Sequence, residues 1–150
     1  MTLHWKLVID AEEPRGQADF WAAALGYELE DHSALIGQLL AAGAVKPEEA
    51  PEWNGRPAFR DYAAVRHPDD PYDENTGMGK GRRLLFQRVP EKKTVKNRLH
   101  LDVHTAEGRD RDEEVARLEA LGARELYRIK EPIGEWVTMA DPEGNEFCVE

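Results

Sequence analysis

From His4 to Asp10 the chain alternates. Trp5, Leu7 and Ile9 fall on one side and His4, Lys6, Val8 and Asp10 on the other, the period of two expected of a strand with one buried face. After Glu13 and Pro14 the rhythm changes. Ala18, Trp21, Ala22 and Leu25 recur at helical spacing, and the proline stands at an early helical position where no amide hydrogen bond is lost. Gly26 supplies a stop. The same sentence is then written again further along. Leu99, Leu101 and Val103 oppose His100, Asp102 and His104; Val115, Leu118 and Leu121 stripe a second helix; Gly122 ends it. Each copy closes on an apolar strand, RLLFQRV in the first and NEFCVE in the second.

The spacings make the duplication quantitative. Gly26 to Gly122 is 96 residues and Lys6 to His100 is 94, whereas Gln87 to Cys148 is only 61. The shortfall of 35 between the first and last of these is extra chain between the helix and the closing strand of the first copy. Two βαβββ modules of α+β class are therefore expected, a first at 1–90 and a second at 98–150. The insertion lies at about 31–57. Within it, Ser33 to Ala42 predicts a short helix capped by Asp31 or Ser33, and 46–57 a loop rich in Pro and Glu. Residues 58–65 read as a strand. Residues 67–83 read as a long polar, glycine-rich loop, mobile at its tip or covering something, and 91–98 as a basic linker.

Charge narrows the function classes. Of 150 residues, 20 are Lys or Arg and 30 are Asp or Glu, a net charge of −10, which argues against nucleic acid and anionic membrane surfaces as partners. Hydrophobic residues make up 41%, ordinary for a globular chain with a real core. No stretch has the pattern of a signal peptide or a bilayer span. Cys148 is the single cysteine, so no internal disulfide forms, and a reducing, cytoplasmic setting is expected.

The doubled module, the FWAAALGYE helix end, the KNRLHLDV strand and the closing DPEGNEFCVE together resemble the vicinal oxygen chelate superfamily, and within it the glyoxalase-like domain proteins of the glyoxalase/bleomycin-resistance group. The resemblance covers nearly the whole chain and is weakest at 31–57. It implies paired βαβββ modules whose strands form an open, curved mixed sheet, a cup that receives a small molecule between the modules, and often a homodimer. In many relatives the cup holds a divalent metal on four ligands, from the first and last strand of each module. Carried onto this chain, those positions fall on Lys6, Gln87, His100 and Cys148.

That quartet departs from a chelating set. The Lys6 ammonium has no lone pair to give, and Gln87 is a weak neutral donor. Zinc on His100 and Cys148 alone is incomplete. No bound metal is therefore expected, with a shifted set of His4, His100, Asp102 and Glu150 as the route by which a divalent ion would still be held. Without the metal, Lys6 takes the role of an electrostatic clamp on a substrate oxygen, His100 that of general acid or base, and Cys148, if lowered by Lys6, that of a thiolate nucleophile. Gln87, His4, Asp102, Tyr62 and Trp136 are the candidate ligand contacts, with Tyr62 and Trp136 as two aromatic walls at matching places in the two modules. Each also has a plainer reading: His100 and Gln87 as structural hydrogen-bonders, Cys148 as a small buried hydrophobe, Lys6 as half of an ion pair. Three functions stay open. They are a metal-free glyoxalase-like enzyme, a non-catalytic protein that sequesters a drug or metabolite, and a metal-dependent lyase or dioxygenase.

Overall fold

Strand order is the clearest trace of the duplication. In the computed structural model, which describes residues 1–150, the first unit (1–90) contains β1 (Leu7–Ala11), α1 (Pro14–Leu25), β2 (Glu28–Leu29), α2 (Ser33–Ala41), β3 (Glu52–Trp53), β4 (Arg56–Pro57), β5 (Tyr62–Arg66) and β6 (Arg83–Arg88). The second (91–150) contains β7 (Asp102–Val103), α3 (Arg111–Ala120), β8 (Arg124–Glu131), β9 (Gly134–Ala140) and β10 (Glu146–Val149). The sheets run β1-β6-β5-β2 and β7-β10-β9-β8. Leaving aside the inserted β3-β4 hairpin, both follow the same path: first strand, helix, then three strands that return to lie beside the first. In each sheet the first and last strands are parallel and the other neighbours antiparallel. The class is α+β, with open mixed sheets. No helix is long and apolar enough to cross a membrane.

Local chemistry explains the helices. Pro14 opens α1, and Gly26 closes it in the left-handed region at φ 67°, where a Cβ would be strained. At α3 the Asp110 carboxylate accepts from the Asp112 amide, and Asp112, Glu113 and Glu114 sit at the positive end of the helix dipole. In the first unit α1 packs on β5 and β6, burying Ala18, Phe20, Trp21 and Ala24 with Val65 and Phe86. In the second α3 packs on β8 and β10, burying Val115 and Leu118 with Val137, Met139, Phe147 and Val149.

Several expectations shift. The first strand begins at Leu7, so Trp5 stands exposed before it. Leu121 falls past the last turn of α3 and is exposed rather than part of its stripe. The strand expected at 58–65 runs 62–66. Within 46–57 a hairpin replaces the loop: Asn54 and Gly55, at φ 51° and 76°, make the two-residue turn that joins β3 to β4. The cap of α2 is His32, while Asp31 Oδ1 accepts from the Ser33 amide at 2.9 Å.

The 67–83 loop is tied down along its length. Asp70 accepts from the amide and guanidinium of Arg82, Asp73 Oδ1 accepts from the amides of Asn75 and Thr76, and Tyr72 bridges to Gly79. The Arg66 guanidinium lies 3.9 Å over the Tyr72 ring. Beneath the loop, the fully buried Glu30 carboxylate accepts from Arg83 Nε and Nη2 at 2.7 Å each, from the Gly79 amide at 2.7 Å and from the His32 ring at 2.9 Å. Burial pushes this carboxyl up, but the hydrogen bonds from His32, Arg83 and Gly79 outweigh it and hold it at about 2. One side chain thus joins the end of β2, the start of α2, β6 and the loop.

Candidate functional site

On β10, alternation sends Phe147 and Val149 into the core, and Glu146, Cys148 and Glu150 to the opposite face of the sheet. The register builds a row across that face. Cys148 lies opposite Asp102 of β7 on one side and Thr138 of β9 on the other, and Thr138 lies opposite Tyr127 of β8. Trp136, opposite Ile129, forms the next row. A bulge between Glu125 and Tyr127 sets the phase that puts Tyr127 and Ile129 on this face. Together with His100, Lys96, Glu146 and Glu150 these residues line a pocket of about 360 Å³ in the second unit.

One end of the pocket gathers chemistry. His100 Nε2 lies 3.3 Å from Asp102 Oδ1, and the ligating atoms of His100, Asp102 and Cys148 all lie within 4.8 Å of one another. His100 and Asp102 are exposed; Cys148 is 8% exposed, with its sulfur 3.7 Å from Thr138 Oγ1. Burial pushes the Cys148 thiol up, a contact with Thr138 opposes this, and the charges of Asp102 and Glu150 add to the rise. That direction is the reverse of the lowered thiol that a nucleophile requires. Nearby, His104 Nδ1 lies 3.2 Å from Glu150 Oε1, and Glu146 is held by Lys93 at 3.0 Å and by the Asn97 amide at 3.0 Å.

The first-module candidates lie within the first unit. His4 and Lys6 are exposed on the run leading into β1. Gln87 is half-buried on β6, opposite Asp10 on one side and Tyr62 on the other. Tyr62 is exposed and meets Phe59 edge-on, with ring centroids 6.4 Å apart, beside a small cleft of about 40 Å³ bounded by His32, Trp53 and Phe59. The register also corrects a matching. If Gln87 corresponds to Cys148, then Tyr62 corresponds to Thr138 and not to Trp136, because Thr138 is the residue opposite Cys148.

The family's four metal positions do not fit a metal here, because the Lys6 ammonium is a donor without a lone pair. Of the shifted set, His100 and Asp102 do come together, and the third group beside them is Cys148. Sequence reasoning missed Tyr127, Ile129 and Glu146. The alternation of Tyr127 and Ile129 in RELYRIKE was a usable signal for the first two.

The profile of the glyoxalase-like domain matches residues 6–150. No protein of curated function matches the chain. Among solved structures, the fosfomycin resistance protein FosX from Mesorhizobium loti is similar at 9% identity and TM-score 0.58, over 100% of this chain and 91% of that one. The bleomycin-binding protein from Streptomyces verticillus, complexed with copper(II)-bleomycin, is similar at 17% identity and TM-score 0.50, over 99% and 95%. Lactoylglutathione lyase from Agrobacterium tumefaciens is similar at 14% identity and TM-score 0.51, over 99% and 92%. At these identities the likeness speaks for the fold alone. With the profile spanning both copies of the repeated module, the chain belongs to the glyoxalase-like domain family of the vicinal oxygen chelate superfamily.

Proposed function

We propose that this chain binds a small organic cation with a flat apolar part in the second-module pocket. The observation that carries the reading is the make-up of one sheet face. Trp136, Tyr127 and Ile129 supply a floor on which a planar group stacks, and Asp102 and Glu150 supply negative charge at its edge. The overall charge of −10 favours the approach of such a ligand. The raised Cys148 thiol favours binding over covalent catalysis. A homodimer and a cytoplasmic setting belong to the same reading.

Equilibrium dialysis against N-methylacridinium and its neutral analogue acridine tests it. The cation is expected to bind about tenfold more tightly than acridine, a difference of about 1.4 kcal/mol. Trp136→Ala is expected to weaken both probes, and Asp102→Asn to narrow the gap between them. Equal binding of the two probes, or binding indifferent to Trp136→Ala, overturns the proposal.

A second reading has its own support in the His100–Asp102 pair. Nε2 lies 3.3 Å from the Asp102 carboxylate, and a ring steered by that neighbour would present its other nitrogen, Nδ1, as the general base. It predicts turnover of a bound substrate that is lost in His100→Ala while binding persists. Unchanged ligand recovered after prolonged incubation with the native protein counts against it.

A further inference from the structure

We propose that the cleft bounded by the inserted β3-β4 hairpin of the first module is a second ligand site, and that it takes the hydroxyl end of a phenol, whose O–H donates to His32 Nδ1. The cleft is built largely from the segment where the family resemblance is weakest. It uses none of the four strand positions of that resemblance and none of the residues of the second-module pocket.

The first support is the orientation of one ring. The Glu30 carboxylate is fully buried and ionised, so it only accepts hydrogen bonds. His32 Nε2, 2.9 Å away, is therefore the nitrogen that carries the hydrogen. In a neutral imidazole the other nitrogen, Nδ1, is then the acceptor. No group of the chain donates to it: the side chain makes no capping contact at the start of α2, and its one hydrogen bond is the bond to Glu30. The residue is buried, yet it forms part of the cleft wall. A buried acceptor calls for a donor, and the cleft is the open side from which one can come.

The second support is the make-up of the walls. Phe59 has its ring centroid 5.8 Å from that of His32, tilted by 49°, and 6.4 Å from that of Tyr62, at 87°. Trp53 of β3 adds a further ring, with the Arg15 guanidinium over it at 5.8 Å from its centroid. Arg56 of β4 pairs with Asp31, which ties the hairpin to the residues just before α2. Aromatic surface around a single acceptor selects a flat ring that carries a single donor. At about 40 Å³ the cleft admits the hydroxyl and the leading edge of such a ring. The far end of the ring then stays outside, on the side of Tyr62, which is 44% exposed.

The test is fluorine NMR of 4-fluorophenol and of its methyl ether, 4-fluoroanisole, each titrated with the full chain at neutral pH, where the phenol keeps its proton. The phenol is expected to bind about fivefold more tightly than the ether, the scale of one net hydrogen bond. His32→Gln keeps a donor for Glu30 near the place of Nε2 but has no acceptor at the place of Nδ1. It is expected to bind the two probes equally. Should that buried change disturb the fold, Tyr62→Ala at its exposed position serves independently, and it is expected to weaken both probes while the gap between them persists. Saturating N-methylacridinium, the probe of the second-module pocket, is expected to leave the phenol bound. Equal binding of the two probes by the native chain, a preference that survives in His32→Gln, binding indifferent to Tyr62→Ala, or displacement of the phenol by N-methylacridinium would each overturn the site. None of these results alters the comparison of acridinium with acridine, so the two proposals fall separately.

Discussion

Replacing Glu30 by Ala is expected to cost the first module about 3–5 kcal/mol, the range for removing one partner of a buried ion pair. The carboxylate is fully buried, the Arg83 side chain is 8% exposed, and the two are joined by a bidentate contact. Without Glu30, the Arg83 guanidinium, the His32 ring and the Gly79 amide lose their shared acceptor at once. Thermal unfolding followed by circular dichroism should show a fall in Tm of roughly 10 °C, at about 2–4 °C per kcal/mol for a chain this long. The double variant Glu30→Leu with Arg83→Met should recover part of the loss, because no lone charge is then left in the interior. The pH dependence has a definite sign. A carboxyl held at about 2 against an ordinary 4.5 contributes stability that is complete above about 4.5 and is lost as pH falls toward 2. Glu30→Gln should therefore flatten the acid limb of the stability curve between those values. A change below about 1 kcal/mol for Glu30→Ala would show that the cluster does not hold the module together.

Gly77→Ala is the second large effect. The residue is buried at φ 75°, and a Cβ there would stand 1.9 Å from the Asp31 carbonyl oxygen. The clash is with backbone, so no rotamer relieves it. Left-handed strain of about 1–2 kcal/mol and overpacking of about 1–3 kcal/mol together predict a loss of roughly 2–5 kcal/mol. Gly43→Ala is the matched control, because Gly43 has a similar φ of 69° with nothing within 4 Å of its Cβ position. It should show the strain alone. Urea unfolding of the two variants side by side separates close approach from backbone conformation, and equal losses would mean that the loop moves away from Asp31 freely.

These two positions also mark where the sequence falls silent. Helix ends were readable because their causes are local: Pro14, Gly26 and Gly122 act within a turn of themselves. The βαβββ repeat was readable because the same alternation and the same stops recur in order. The Asn54-Gly55 turn was missed, although that dipeptide is a strong hairpin signal, because the surrounding prolines and glutamates pointed to a loop. The order in 67–83 was not readable. It depends on Glu30 and Asp31, more than forty residues upstream of the loop's tip, and on Arg66 stacking over Tyr72. In the pocket, His100, Asp102, Cys148 and Trp136 were all nominated from spacing and resemblance. Their relation was not, because the register between β7 and β10 decides whether Asp102 or some other residue faces Cys148. In β8 the alternation of Tyr127 and Ile129 was visible, but not the register past the bulge that sets them opposite Thr138 and Trp136.

The second sheet ends on β8, eight residues long and unpaired on its outer side within its unit. An uncovered strand of that length is an invitation to stack against a neighbouring molecule. This one carries Arg124, Glu125, Arg128, Lys130 and Glu131, is kinked by its bulge, and runs into Pro132. Arg128 is held by Asp112 and Glu125, and Lys130 by Glu135, so the guard charges are also braced. Solubility of the folded protein thus depends on the charged residues of the same strand whose Tyr127 and Ile129 line the pocket, and variants that neutralise those charges should precipitate while still folding correctly.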